Sequence, residues 1–261
     1  MSNILEKIVA STRHKIAADR MAKPERELRA AIADAAPIRD FYAALAAGAE
    51  VRLIAEVKRA SPSAGLIRED FDPVAIATAY AGSGAACISV LTDEPFFQGS
   101  LDYLRAIRKS VAVPLLRKDF IVDSYQLLEA RAAGADCVLL IAECVSPDEL
   151  RRLHDEAHQL GLQTWRQLYD LENLEAVLAT GTRLVGVNNR DLRTFQTDLH
   201  HTLRLRQLIP EDRLVVGESG IVTAEDVRLL GSGGVKAILV GESLMRQQDI
   251  GAAVTALIGN Q

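Results

Sequence analysis

The sequence predicts an α/β fold, a (β/α)8 TIM barrel with an N-terminal helical extension. Eight short runs rich in β-branched or aliphatic residues recur along the chain, and segments with apolar residues at helical spacing separate them. The runs are almost continuously apolar, as expected for parallel strands that helices cover. Eight such units within 261 residues also match the length of about 250 residues that is typical of this barrel.

The strands and helices follow from local signals, taken in chain order. Helical patterns at 147–160, 171–179 and 224–230 fill three of the connections, and Ser146 and Thr223 precede two of them as N-cap residues. A doubly wound open sheet is the alternative, but the first strand is not followed by G-x-G-x-x-G. The predicted strands lie at 51–57, 85–91, 113–116, 135–142, 162–168, 183–187, 213–216 and 236–240.

The sequence predicts one domain over residues 1–261. Residues 1–10 alternate apolar and charged positions at helical spacing, and residues 1–50 are predicted to form a helical extension to the barrel of 51–261. No stretch rich in Pro, Gly or Ser divides the chain as a linker would.

Composition excludes several classes of protein. With 30 Lys and Arg against 35 Asp and Glu, the net charge is −5, which is unlike the basic surface of a nucleic-acid-binding protein. No apolar run approaches the length of about 20 residues needed for a membrane span, and no signal peptide is evident. Three cysteines without a C-x-x-C motif predict reduced, buried thiols and a cytoplasmic location. The oligomeric state cannot be read from these features.

Polar residues follow the predicted strands where a barrel of this kind carries its site, at the carboxyl ends. Two lysines and several acids converge there, and a lysine is rarely buried without a partner. Rim salt bridges are the alternative interpretation of any single residue. The strand-end residues are Glu56, Lys58, Thr92, Asp93, Lys118, Asp119, Glu143, Gln167, Asn188, Asn189, Arg190, Glu218 and Ser219.

The last two strand ends predict a phosphate site. Ser219-Gly220 and Gly241-Glu242 place small residues in the loops after strands seven and eight, where barrels commonly bind phosphate through backbone N–H groups. An ordinary tight turn is the structural alternative. His154 and His158 share a helix face but do not form H-E-x-x-H, so no metal site is predicted.

Taken together, these motifs resemble indole-3-glycerol phosphate synthase, a ribulose-phosphate-binding barrel of tryptophan biosynthesis. The resemblance covers essentially the whole chain. It rests on IAEVKRASPSAG at 54–65, ISVLTDE at 88–94, FQGS at 97–100, PLLRKDF at 114–120, GVNNRDL at 186–192, VGESGI at 216–221 and VGESLMR at 240–246.

The resemblance implies a carboxy-lyase that works without a cofactor. Its substrate would be 1-(2-carboxyphenylamino)-1-deoxyribulose 5-phosphate, whose ring closure releases CO₂ and water. Lys118 would be the general acid of the condensation. Lys58, held by Glu56, would bind the anthranilate carboxylate and act as a second acid.

The remaining roles concern substrate binding. Ser61 would belong to a mobile flap, and Phe120 would pack on the aromatic ring. Substrate hydroxyls and the proton relay would be held by Asn188, Arg190 and Glu218, and the phosphate by Ser219, Gly220, Gly241 and Glu242.

The fifth strand departs from the family pattern. The family has a glutamate as general base where this chain has Gln167, and a carboxamide cannot accept the proton. If Gln167 points inward, Trp165 also points inward and Arg166 points outward beneath the helices, where an unpaired charge is costly. A shifted or bulged segment is the other possibility. The alternative function is a barrel of the same family that binds a sugar-phosphate-like ligand but is catalytically impaired or repurposed.

Overall fold

Eight parallel strands close into a barrel in the computed structural model, which describes residues 4–259. Each strand pairs with its neighbours in the chain, and the last strand closes the barrel on the first, with Ile54 opposite Leu239. The predicted (β/α)8 fold is therefore confirmed. The strands are β1 (Arg52–Val57), β2 (Cys87–Leu91), β3 (Leu115–Lys118), β4 (Cys137–Ile141), β5 (Gln163–Leu168), β6 (Leu184–Asn188), β7 (Leu214–Glu218) and β8 (Ala237–Val240).

All eight strands lie where the sequence predicts them, with shifts of one or two residues at most ends. Three of them run further toward the mouth than predicted, because polar residues continue the backbone ladder: Lys118, Asn188 and Glu218 each end a strand. The apolar pattern stops earlier, since these side chains face the mouth and not the core. A short hairpin of Ala60–Ser61 with Gly65–Leu66 follows β1 and was not predicted.

Helices surround the barrel and their caps agree with the sequence. Ser146 and Thr223 each form a capping box at the start of a helix. The pattern at 171–179 is divided into a 3-10 turn, Leu171–Asn173, and a helix. The helices are α1 (Ile4–Ala22), α2 (Glu25–Ala33), α3 (Phe41–Ala46), α4 (Pro73–Gly82), α5 (Glu94–Phe97), α6 (Leu101–Ser110), α7 (Ser124–Ala133), α8 (Pro147–Gln159), α9 (Leu174–Ala179), α10 (His200–Arg206), α11 (Ala224–Ser232), α12 (Glu242–Met245) and α13 (Ile250–Ile258).

The N-terminal extension contacts both ends of the barrel. Phe41 and Leu45 of α3 are buried against residues at the amino ends of the strands, such as Cys87 and Leu214. At the opposite end, Ile8 of α1 lines the cavity at the mouth. Helices α3 and α1 therefore cover parts of the barrel at its two ends.

Two apolar layers hold the structure together. Inward-facing side chains of the strands fill the barrel, and outward-facing side chains pack beneath the helices, as Val57 and Ile88 do. Cys87, Cys137 and Cys144 are buried and unpaired, as predicted. Among residues 4–259, no helix is long and apolar enough to cross a membrane.

Candidate active site

The carboxyl ends of the strands surround a cavity of about 470 Å³. Every residue to which the sequence assigned a role in the site lines this cavity. They are Glu56, Lys58, Ser61, Lys118, Phe120, Gln167, Asn188, Arg190, Glu218, Ser219, Gly220, Gly241 and Glu242.

Glu56 and Lys58 form a buried ion pair at the end of β1. The Lys58 Nζ lies 2.8 Å from Glu56 Oε1, and the Glu56 side chain is 5% exposed. Burial alone would raise the pKa of Glu56, but the charges of Lys58 and Lys118 hold it below its ordinary value. Glu56 is therefore an ionised partner that holds the Lys58 ammonium group in place.

Lys118 and Glu218 face each other more loosely across the cavity. The Lys118 Nζ is 4.0 Å from Glu218 Oε2, which is the limit of an ion pair. Burial raises the pKa of Glu218 to about 7, and Lys118 offsets only part of this rise. A carboxyl group with such a pKa can take up and release a proton near neutral pH.

The predicted phosphate loops form a cradle that only small residues fit. Ser219 has a φ of 67° and Gly220 a φ of 76°, a left-handed turn that is uncommon for residues other than glycine. A Cβ on Gly241 would lie 2.6 Å from Glu56 Oε1. The Ser243 Oγ donates to the Ile221 carbonyl oxygen at 3.1 Å and so ties the two loops together.

A flap after β1, formed by residues 61–65, is connected to the same cradle. The Arg190 guanidinium donates to Ser63 Oγ at 2.9 Å and lies 3.8 Å from Glu242. Within the flap, Ser61 Oγ accepts a hydrogen bond from the Ala64 N–H at 3.1 Å. Arg190 therefore joins the flap to the phosphate loops.

The fifth strand has the first of the two arrangements that the sequence left open. Its residues pair in unbroken register with β4 and β6, so the segment is neither shifted nor bulged. Trp165 and Gln167 point into the barrel, and Gln167 lines the cavity. Arg166 is fully buried on the outer face, and its guanidinium has no hydrogen-bond partner among the described residues.

Other strand-end polar residues lie outside the cavity. The side chains of Thr92 and Asp119 hydrogen-bond each other at 2.6 Å, and the buried Arg117 pairs with Asp119 at 3.0 Å. Glu143 accepts hydrogen bonds from the backbone N–H groups of Tyr169 and Asp170. These groups stabilise loops at the mouth, so the strand ends do not all converge on one site.

Several lining residues were missed by the sequence analysis. Ile4, Leu5 and Ile8 of α1 cover one side of the cavity. Phe97 also lines it, with its ring 6.0 Å from that of Phe120. Nothing in the pattern of α1 distinguishes these residues from an ordinary apolar helix face, so only the packing shows their place.

Within residues 4–259, no group of three or more His, Cys, Asp or Glu side chains is placed to hold a metal ion. His154 instead hydrogen-bonds Thr164 at 3.0 Å on the outside of the barrel.

Comparisons with known proteins agree with the geometry. The family model described as indole-3-glycerol phosphate synthase matches residues 5–257. The chain is 66% identical to the indole-3-glycerol phosphate synthase of Rhodopirellula baltica over 257 residues, covering 98% of this chain and 99% of that protein. It is 47% identical to the synthase of Bordetella pertussis over 261 residues, covering 99% of this chain and all of the relative. The synthase of Azoarcus sp. is 49% identical over 264 residues, with 99% and 100% covered.

Proposed function

Because this chain belongs to the indole-3-glycerol phosphate synthase family, we propose that the cavity at its barrel mouth carries out the reaction of that family. The reaction is the ring closure of 1-(2-carboxyphenylamino)-1-deoxyribulose 5-phosphate, with loss of CO₂ and water. The chain is thus a carboxy-lyase of tryptophan biosynthesis. Its three buried free thiols support a reducing, cytoplasmic location.

The observation that carries this function is the convergence of two lysines on one cavity beside the phosphate cradle. Lys58 and Lys118 reach it from different strands, and each has a carboxylate neighbour. Two positioned ammonium groups can supply the two protons that the reaction needs on oxygen. The cradle formed after β7 and β8 holds the phosphate and thereby orients the rest of the substrate.

Condensation is the first step. The aromatic carbon that bears the carboxylate attacks the ketone carbon of the ribulose chain, and the ketone oxygen takes a proton from Lys118. The carboxylate then leaves as CO₂, and the electron pair of its bond to the ring restores aromaticity. Phe120, which lines the cavity beside Phe97, packs against the aromatic ring during this step.

Dehydration is the second step. The new hydroxyl group takes a proton from Lys58 and leaves as water. A proton on the neighbouring ring carbon must pass to a base, and its bonding electron pair becomes the double bond of the indole. Asn188 and Arg190 hold the hydroxyl groups of the chain while this happens.

A ligand-binding barrel without catalysis is the alternative, and Gln167 is the observation behind it. The arrangement favours the enzyme, because both lysines, the Glu56 carboxylate and the phosphate cradle line the same cavity. A non-catalytic barrel has no need to hold Lys58 against a buried carboxylate, which costs desolvation energy.

The test follows indole fluorescence after the purified protein is mixed with substrate. The parent should form indole-3-glycerol phosphate, and Lys118→Ala should reduce kcat by about 10²–10⁴-fold, the range expected for loss of a general acid. Lys109→Ala, on the exposed surface of α6, is the matched control and should retain full activity. Undiminished turnover in Lys118→Ala would refute the assignment of the acid.

A further inference from the structure

The family resemblance implies a general base at position 167, where this chain has a carboxamide. Gln167 occupies that position, and its Oε1 is buried without a partner among the described residues. Since a carboxamide cannot take up the carbon-bound proton, another group must accept it if the dehydration is to proceed.

Of the carboxylates at the mouth that the structure describes, one is free to do so. Among residues 4–259, the carboxylates that line the cavity are Glu56, Glu218 and Glu242. Glu56 is paired with Lys58 at 2.8 Å, and Glu242 with Arg246 at 2.9 Å. The nearest cation to Glu218 is 4.0 Å away, and its Oε1 is buried without a hydrogen-bond partner.

The Glu218 carboxylate also leans toward the strand of Gln167. Strand β6 lies between them, and its Gly186 pairs directly with Gln167 in the ladder. A Cβ on Gly186 would lie 2.7 Å from Glu218 Oε1 and 2.1 Å from Trp165 Nε1. Because Gly186 has no side chain, there is room beside it for both the Glu218 carboxylate and the Trp165 indole ring.

We propose that Glu218 is the proton acceptor of the dehydration step in this chain, in place of the residue at position 167. The proposal rests on the proposed function. The C–H bond next to the hydroxyl-bearing carbon breaks, its proton goes to Glu218, and its electron pair forms the ring double bond. The hydroxyl leaves as water with the proton of Lys58.

The position of Glu218 beside Lys118 also completes the proton cycle. Lys118 gives its proton to the ketone oxygen during condensation and is then neutral. Glu218 gains a proton during dehydration and can return it to Lys118 across the gap of 4.0 Å. Lys58 recovers its proton from solvent, so each turnover consumes one proton, as the conversion of a carboxylate to CO₂ requires.

The surroundings of Glu218 suit this role. Lys118 faces it from β3, Glu56 from β1 and Glu143 from the turn after β4. Burial raises the pKa of Glu218 and the charge of Lys118 lowers it. The two neighbouring carboxylates raise it further, so that the pKa of Glu218 is about 7. Above that pH Glu218 is ionised and can act as a base. Below it Glu218 is protonated and cannot.

The experiment compares the parent with Glu218→Gln, with Gln167→Glu, and with the double variant that carries both changes. Indole fluorescence gives kcat and kcat/KM between pH 5 and 9. Glu218→Gln should lower kcat by about 10²–10⁴-fold. Adding Gln167→Glu should recover at least about tenfold of this loss, because it restores a carboxylate to the family position. Glu211→Gln, an exposed change before β7, is the control for the Glu-to-Gln exchange and should behave as the parent.

The pH profile separates a base from a merely structural residue. In the parent, kcat/KM should fall as the pH drops below about 7. In Glu218→Gln this acidic limb should flatten. A folded Glu218→Gln that keeps the parent's kcat, or that loses activity without a change in the acidic limb, would overturn the role of Glu218.

Failure of the proposed function would look different. A parent that is inactive while Gln167→Glu is active would overturn both the proposed function of this chain and the role of Glu218, and would support the catalytically impaired barrel. Inactivity of both would overturn the proposed function, and the role of Glu218 would fall with it.

Discussion

At the residue scale, the fifth strand contains an unusual buried charge. Arg166 is 0% exposed on the outer face of β5, between Leu140 and Val185 of the neighbouring strands. Burial lowers the pKa of its guanidinium to about 9. None of its three nitrogens has a hydrogen-bond partner among residues 4–259. The barrel therefore folds despite this residue, at a cost in stability.

Replacing Arg166 with an apolar residue should stabilise the protein. We expect Arg166→Val to raise the free energy of unfolding by about 1–4 kcal/mol, because the variant no longer buries an unpaired charge. Urea denaturation measures the change. Arg151→Ala, an exposed position on α8, should change stability by no more than about 0.5 kcal/mol.

The gain should also depend on pH in a defined direction. Burial holds the pKa of the guanidinium at about 9 in the folded protein, well below its ordinary value, so the parent carries the cost of a buried cation at all pH values below about 9. As the pH rises above 9, the folded parent releases the proton and the difference from Arg166→Val should shrink. A variant that is less stable than the parent at pH 7 would mean that Arg166 has favourable interactions.

At the scale of elements, close contacts between residues at the ends of neighbouring strands determine the geometry of the site. Gly241 follows β8 and lies against Glu56 of β1, which pairs with β8 in the barrel. The absence of a side chain at this position lets the Glu56 carboxylate lie beneath the phosphate cradle and hold Lys58. The loop after one strand thus positions an ion pair on the next.

Gly241→Ala should disturb this ion pair. The added Cβ would lie 2.6 Å from Glu56 Oε1, so the carboxylate must move and its contact with Lys58 must change. A displacement of about 1 Å can cost about 10²-fold in rate, and we expect a fall in kcat of that order. Kinetics by indole fluorescence give the result.

Gly82→Ala is the matched control for that change. A Cβ on Gly82, at the end of α4, meets nothing within 4 Å, so this variant should keep the parent's kcat. If the two variants have the same kcat, the cradle does not position the Glu56 carboxylate.

At the scale of the whole molecule, the cavity is formed by segments that are far apart in the chain. Helix α1, the flap after β1 and the loops after β6, β7 and β8 all contribute to its wall. A ligand that binds there contacts only the folded chain, so its binding stabilises the entire barrel by mass action.

Inorganic phosphate should therefore raise the melting temperature. At a hundredfold excess over its Kd, phosphate should add about 2.7 kcal/mol to the free energy of unfolding. Thermal unfolding in phosphate and in sodium chloride of the same ionic strength measures the effect. Ser243→Ala, which loses the hydrogen bond to Ile221 that ties the two loops, should show a smaller phosphate effect. An equal shift in chloride would argue against a specific site.

Much of this protein could be predicted from local patterns. Continuous apolar runs predict buried parallel strands, and residues such as Ser146 and Thr223 predict helix starts through their own hydrogen bonds. Because a closed parallel barrel brings the carboxyl ends of all strands to one rim, the order of elements also places Glu56, Lys58 and Lys118 together. Alternation along β5 likewise predicts that Gln167 and Arg166 face opposite sides of the strand.

Only the tertiary structure decided which of these polar groups pair with one another. Thr92 and Asp119 lie at the carboxyl ends of strands, as Glu218 does, yet they pack around Arg117 outside the cavity. Contacts between distant segments decide which groups pair with Glu56 and Glu242. They also leave the space beside Gly186 open and place α1 over the cavity. Periodicity gives the direction of a side chain relative to its own strand. The pairing and burial of that side chain depend on distances across the barrel. These distances set the charge and the proton affinity of Glu218.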